Sequence, residues 1–570
     1  MRFDGSHAGT RTRCVVANDD FAKSLQLDLS SPTSDLAPSK VDQSQQNPRK
    51  VRSTAMTVDK EHGLAVEQSP LSNTSSNENQ TTDHVPATES PGFLARLRDF
   101  EARLDAKVGV EADAIARKRP EDKKHVSWSE ELAMALIWAS GSMNMTSLAI
   151  GFMGGQFGLS LQQAILITVF GSMLAAAMTA SCAMLGPATG LRQLSISRYS
   201  FGWWPNKLIT LLNCIQQVCW AAVNCITGGL TLTAVSDGRV SLAPSVVILA
   251  VTSLLISFLG LKAILLYERY AWIAVFVIYV ILFARTCPYA ENSAPSVTGA
   301  SQSGALLNLL AIVYGASASW CVVASDYYVH YRANVSRVKV FLMTTFGIAI
   351  PTAFSVVAGV VAASALNNQS SWRDAYRDGG LGYVLQEMLY PRGLAKFLLT
   401  LLVLSGINGN VFGLYSASLS IQQLARPLAL IPRSIWALVT FACITAMSIG
   451  GREKLNPLLE NFLGLLGYWC TSYGVILLEE HFIFRTGRFE NYDLEGWNDP
   501  ARLPLGLGAA AAFVLGMVSW FMGMNQTWLR GPLANLIGST GGDIGNELTL
   551  VVTALGYLPA RYLELRHVGR

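Results

Sequence analysis

The chain has 570 residues, 51% of them hydrophobic and 14% charged, with 13 Trp, whereas an average globular domain is roughly 25% charged. Nearly half of the charged residues precede Leu132, so the remainder cannot cover a water-facing surface, and the composition describes a polar tail joined to a membrane body. A net charge of +4 with acids and bases interleaved leaves no basic patch for nucleic acid, which excludes that class of partner.

Residues 1–91 are rich in Ser, Thr, Asn, Gln and Asp, as in Ser72-Asn73-Thr74-Ser75-Ser76-Asn77. They have little to bury and are read as a disordered polar tail. No signal peptide is expected, because an apolar core of about 7 to 15 residues is missing there. In residues 92–131 the pattern changes: Phe93, Leu94, Leu97, Phe100, Leu104 and Val108 recur at helical spacing among charges. That is an amphipathic cytoplasmic helix followed by a linker.

Residues 132–565 hold long apolar runs near the ~20 residues that cross a bilayer. Twelve are predicted: Leu132–Met153, Leu161–Leu185, Leu208–Val235, Pro244–Leu261, Tyr270–Ala284, Ala305–Ala324, Val340–Leu366, Ala395–Ile421, Ser434–Ile449, Leu455–Leu478, Leu505–Met524 and Leu548–Leu565. The fold class is thus all-α integral membrane with twelve transmembrane helices. With the tail inside, thirteen Lys and Arg fall in cytoplasmic loops against nine outside. This bias puts both termini in the cytoplasm, residues 566–570 forming a short tail.

The nine Cys lie mostly in apolar runs without metal-type spacing and read as small buried side chains, not a disulfide framework or a zinc site. All seven His fall in the tail, in loops or at span ends. The spans therefore lack an acid–base or metal constellation, and neither an enzyme nor a cofactor is expected.

The sharpest constellation is Trp220 and Asn224, four residues apart in the third run and so on one helix face. Indole stacks on a planar ring and the carboxamide offers two donors and an acceptor, together a grip for a heterocycle. The same spacing also fits a lipid-facing Trp with an Asn joining two helices. Trp320 follows the small residues Gly315-Ala316-Ser317-Ala318-Ser319 and either closes the other face of a stacked ring or belongs to an interfacial belt. In Gly141-Ser142-Met143-Asn144-Met145-Thr146-Ser147 weak helix formers predict a break whose exposed carbonyls face a cavity, with Asn144 and Thr146 as candidate substrate contacts. A similar break is predicted at Ser405-Gly406-Ile407-Asn408-Gly409-Asn410. Glu460 is the acid set furthest into a span and is the proton-coupling candidate, or else a structural pairing partner.

Several strings carry a family resemblance. Gly186-Pro187-Ala188-Thr189-Gly190-Leu191-Arg192-Gln193, Tyr267-Glu268-Arg269-Tyr270, Ala324-Ser325-Asp326-Tyr327, Leu458-Leu459-Glu460-Asn461-Phe462 and Leu478-Glu479-Glu480-His481 resemble the nucleobase:cation symporter family, in its purine-cytosine permease branch. The resemblance implies a LeuT-type five-plus-five inverted repeat followed by two C-terminal helices, and proton symport of a purine or cytosine across the plasma membrane. It assigns substrate contact to Trp220, Asn224 and Trp320 and to the stretch near Thr146. In the eighth run the branch typically shows Asn-Asn-x-Pro-Asn, but this chain has Gly409-Asn410-Val411-Phe412-Gly413. A vitamin B6 vitamer or another planar heterocycle is therefore a rival substrate, with Asn408 or Asn410 supplying a substitute contact. A membrane sensor that binds such a ring without moving it is the reading from a different class.

Overall fold

The computed structural model describes residues 115–123, 128–258 and 261–570. The polar tail over 1–91 and most of the amphipathic segment 92–131 lie outside the described residues. Among the described residues the secondary structure is helical, apart from one isolated bridge between Asn525 and Arg530.

Among the described residues fourteen helices of nine or more residues frame the body. A broken first segment consists of α1 (Trp128–Ser142) and α2 (Met145–Met153). It is followed by α3 (Leu161–Ala183), α4 (Pro205–Val235), α5 (Leu242–Ser257), α6 (Leu261–Thr286), α7 (Gly299–Ala318) and α8 (Arg337–Ala365). Then come α9 (Ser370–Met388), α10 (Arg392–Leu424), α11 (Arg433–Gly451), α12 (Leu455–Glu479), α13 (Leu507–Gly523) and α14 (Gly545–Val568). Each predicted apolar run falls on one of these helices or on the α1/α2 pair. Eight helical segments among the described residues are long and apolar enough to cross a membrane, while α5 and α13 are apolar but shorter.

The first break falls where weak helix formers cluster. Asn144 leaves the helix at φ −148° and its side chain caps α2 by accepting from the Ser147 amide, so the break is a capped helix start and not a frayed end. A second interruption follows α7, where Ser319–Val322 tightens into a 3-10 turn. Two expectations are corrected. Helix α10 runs unbroken through Ser405–Asn410, because the glycines there pack against α4 and the i to i+4 ladder is never opened. The connection after α8, where no element is predicted, contains α9, which bends at Gly380 (φ 74°). Its Arg and Asp residues hid it from a search for apolar runs.

Small residues bring backbones together where the site is built. A Cβ on Gly151 of α2 would lie 2.7 Å from Gly359 Cα of α8, an approach open only to residues without a side chain. Loops lock the ends of the helices. The Gln193 backbone amide donates to Asp326 Oδ1 at 2.7 Å, its Nε2 donates to the Tyr473 hydroxyl at 2.9 Å, and its Oε1 accepts from Ser325 N at 3.0 Å. The two loop motifs Gly186–Gln193 and Ala324–Tyr327 are thus each other's packing partners. At the same end, buried Glu480 pairs with Arg561 at 3.0 Å and Arg485 at 2.9 Å and accepts from the Tyr557 hydroxyl at 2.8 Å.

Candidate functional site

The polar face of α4 is the spine of the site. Residues 213, 217, 220, 224 and 227 recur at three- and four-residue spacing, and Asn213, Gln217, Asn224 and Thr227 are buried while Trp220 is half-buried. Asn224 Oδ1 accepts a hydrogen bond from Thr146 Oγ1 at 2.6 Å, and Thr146 Oγ1 also meets Thr227 Oγ1 at 3.0 Å. Because Thr146 opens α2 just after the break, this contact joins the first segment to α4.

Asn144 does a different job. Its Nδ2 donates to Gly141 O at 2.8 Å and its Oδ1 accepts from Ser147 N at 3.0 Å, while its own carbonyl accepts from the Tyr279 hydroxyl at 2.6 Å. The side chain is committed to holding the break; Thr146 is the residue from this stretch that reaches Asn224.

The two indoles each have an aromatic neighbour of their own. Trp220 lies edge-on to Phe462 of α12 with centroids 5.5 Å apart, and Trp320 lies edge-on to Trp138 of α1 at 5.5 Å. Trp138 in turn meets Tyr327 at 5.0 Å, and Tyr327 meets Phe412 of α10 at 5.9 Å. Gln216 Nε2 donates to Ser319 O at 2.8 Å, which ties the turn carrying Trp320 to α4 at a residue one helical turn before Trp220. The ring of Trp320 rests against the break, its Cζ2 3.4 Å from where a Cβ on Gly141 would stand.

On α10 the expected pair of asparagines separates. Asn410 faces α4, its Nδ2 donating to Cys225 Sγ at 3.1 Å, while its Oδ1 is buried without a hydrogen-bond partner in the protein. Asn408 is buried and lies on the same helix face as Phe412 four residues on. Gly409 lies against Asn224: a Cβ there would be 2.7 Å from Asn224 Nδ2. Gly413 likewise sits 3.1 Å from Gln217 O by the same measure.

Glu460 stands near the start of α12 and is half-buried. It lies within electrostatic reach of Asp543, an acid that sequence reasoning missed because it occupies the connection between α13 and α14. Asp543 is 2% exposed and accepts from Tyr468 Oη, from Gln526 Nε2 and Asn525 N at 3.2 Å, and from Gly545 N at 3.0 Å. Burial raises its carboxyl above the usual range, opposed by those hydrogen bonds. Trp138, Gln216, Tyr327 and Phe462 were also missed. Of these only Gln216 had a usable signal, a glutamine four residues before Trp220 in a run that crosses the bilayer.

A break in the first run, a long polar face on α4 and a tightened turn within the sixth run define a membrane transporter. The chain belongs to the family of permeases for cytosine/purines, uracil, thiamine and allantoin, whose family model matches residues 120–538. It is 32% identical over 472 residues to purine-cytosine permease fcyB of Emericella nidulans, spanning 82% of this chain and 91% of that protein. It is 29% identical over 540 residues to vitamin B6 transporter TPN1 of Saccharomyces cerevisiae, spanning 85% and 93%. Among solved structures, MHP1, a nucleobase-cation-symport-1 family transporter closed with bromovinylhydantoin bound, matches with a TM-score of 0.60 at 14% identity, covering 80% of this chain and 96% of MHP1. A Na+-coupled sialic acid symporter matches at 0.55 and 11% identity, covering 83% and 98%. These relatives are transporters, so the protein is a permease and not an enzyme.

Proposed function

We propose that the protein imports a neutral planar nitrogen heterocycle, a purine or cytosine nucleobase, across the plasma membrane together with protons. The observation that carries the reading is Asn224. Its carboxamide sits between the first-segment break and the glycine face of α10, held by Thr146 at 2.6 Å, with its Nδ2 beside Gly409. In this reading the amide hydrogen-bonds the substrate edge, Trp220 and Trp320 stack on its faces, Thr146 orients the amide, and Asn408 or Asn410 adds a further contact. Asn144 serves indirectly, by holding the break open. Glu460, with Asp543 beside it, is the candidate group for the coupled proton.

Interruptions in the first and sixth of the twelve runs lie five apart. That spacing supports a five-plus-five inverted repeat followed by two further helices, with twelve crossings, a polar tail over 1–91, a cytoplasmic segment over 92–131 and both termini inside. Rocking of one bundle against the rest would alternate access to the midplane site.

Asn224→Ala is expected to abolish saturable uptake of labelled cytosine or adenine while the protein stays in the membrane; uptake that continues unchanged would remove this assignment. Proton coupling requires uptake to fall as external pH rises and on adding a protonophore. One observation favours a second substrate: two amides typical of the purine-cytosine branch are glycine here, at 409 and 413, and vitamin B6 transporter TPN1 is 29% identical over 540 residues, which supports a vitamin B6 vitamer. Competition by cytosine, adenine, hypoxanthine, uracil and pyridoxine in cells lacking other carriers separates the two. Accumulation against a gradient separates a carrier from a sensor.

A further inference from the structure

Where α4 begins and α10 ends, three cations converge on one indole. The Arg198 guanidinium lies 4.8 Å from the centroid of the Trp203 ring, the Lys207 ammonium 4.7 Å and the Arg426 guanidinium 5.9 Å. Measured from a common point, the three charges lie within about 11 Å of one another, on the order of a Debye length, so salt screens their repulsion incompletely. Their hydrogen-bond partners are neutral: Arg198 Nη1 donates to Asn498 Oδ1 at 3.0 Å and to Trp497 O at 3.4 Å, and Lys207 Nζ to Gln423 O at 3.3 Å. Among the described residues no carboxylate forms an ion pair with any of the three. Arg198 is nevertheless only 5% exposed, and a charge held that deep calls for an anion.

The surroundings identify which anion. Trp204, Leu208, Leu211 and Ile215 are 76%, 47%, 44% and 51% exposed, and their spacing sets them on one face of α4 as an outward apolar stripe that starts at the cation cluster. A soluble phosphate would use the cluster alone. A phospholipid uses both, its acyl chain along the stripe and its phosphate at the end, where basic side chains at a membrane surface attract anionic lipid.

We propose that Arg198, Lys207 and Arg426, gathered around Trp203, bind the phosphate of an anionic membrane phospholipid whose acyl chain lies along Trp204, Leu208, Leu211 and Ile215. The site clamps the start of α4 to the end of α10, the two helices that meet again at Asn224 and Gly409. It is independent of which substrate is carried.

The test uses the full chain in nanodiscs of phosphatidylcholine, with and without a third of phosphatidylglycerol, read by native mass spectrometry and by the unfolding temperature. The wild type is expected to retain phosphatidylglycerol and to unfold at a higher temperature in its presence. The double variant Lys207→Gln/Arg426→Gln is expected to bind phosphatidylglycerol about twenty-fivefold more weakly, about fivefold for each basic side chain, and to unfold like the wild type in phosphatidylcholine alone. Equal retention by wild type and variant overturns the proposal. So does inorganic phosphate raising the unfolding temperature as much as phosphatidylglycerol does, which would make the occupant a free anion. A variant that unfolds early in phosphatidylcholine alone also overturns it, since the cations would then serve the fold itself.

Discussion

Asn224 keeps its place because position 409 has no side chain. A methyl group there would stand 2.7 Å from its Nδ2, too close for contact, so Gly409→Ala is expected to push the amide off its Thr146 anchor. Losing one or two hydrogen bonds of about 1 kcal/mol each corresponds to a rise in KM of about tenfold, read from uptake kinetics with the membrane level of protein unchanged. Glu480 is a second residue whose surroundings set its role, since Arg561 and Arg485 both depend on it in a buried site. Glu480→Gln takes the anion from Arg485 and leaves Arg561 with Glu564 alone, 3.3 Å away, and breaking a buried pair costs about 3–5 kcal/mol. A lowered unfolding temperature with an unchanged substrate affinity in the surviving protein is the expected result; an unchanged unfolding temperature would contradict it.

At the scale of elements, the breaks and close approaches matter more than helix propensity. Gln216 and Thr146 tie α4 to both interrupted segments, so the site is assembled from two helix interruptions and one continuous polar face. The connection between α4 and α5 is anchored in another way. Asp237 takes a hydrogen bond from Lys396 Nζ and pairs with Arg392 at 2.8 Å, and the Lys396 bond, followed by those from Arg392 and Gln386, holds its carboxyl down at about 2. A folded-state value below the ordinary 3.8 means that the contribution to stability is present above about pH 4 and is lost as pH falls toward 2. The wild type is expected to lose thermal stability over that window more steeply than Asp237→Asn; parallel curves would show that the anchor contributes nothing.

For the whole molecule, the lock between Gly186–Gln193 and Ala324–Tyr327 closes one end of the bundle, and the Glu480 network ties α12 to α14 at that end. If both termini are cytoplasmic, epitopes fused at each end are expected to be inaccessible in intact cells and accessible after permeabilisation; labelling of either in intact cells would reverse the orientation.

Much of this architecture was legible from hydropathy, because a bilayer demands apolar runs of a set length and backbone groups satisfied within each helix. The first break was legible too, since Gly141, Ser142 and Asn144 favour caps over helix interiors. The similar run at Ser405–Asn410 misled because the same glycines that weaken a helix also let one lie flush on a neighbour, and sequence does not distinguish those uses. Helix α9 and Asp543 were hidden for the opposite reason: charges and polar connections read as loop until partners such as Tyr468 and Gln526 are seen to enclose them.

The sequence by itself determined that the chain crosses a membrane, where its apolar segments lie, and that Trp220 and Asn224 share a helix face, because these follow from local periodicity. Only the tertiary structure decided that Thr146 and not Asn144 reaches Asn224, that Gly409 makes room for the amide, and that each indole has its own aromatic neighbour. Those outcomes depend on which helices touch and how closely, and contacts between residues 78 or more positions apart leave no trace in spacing along the chain.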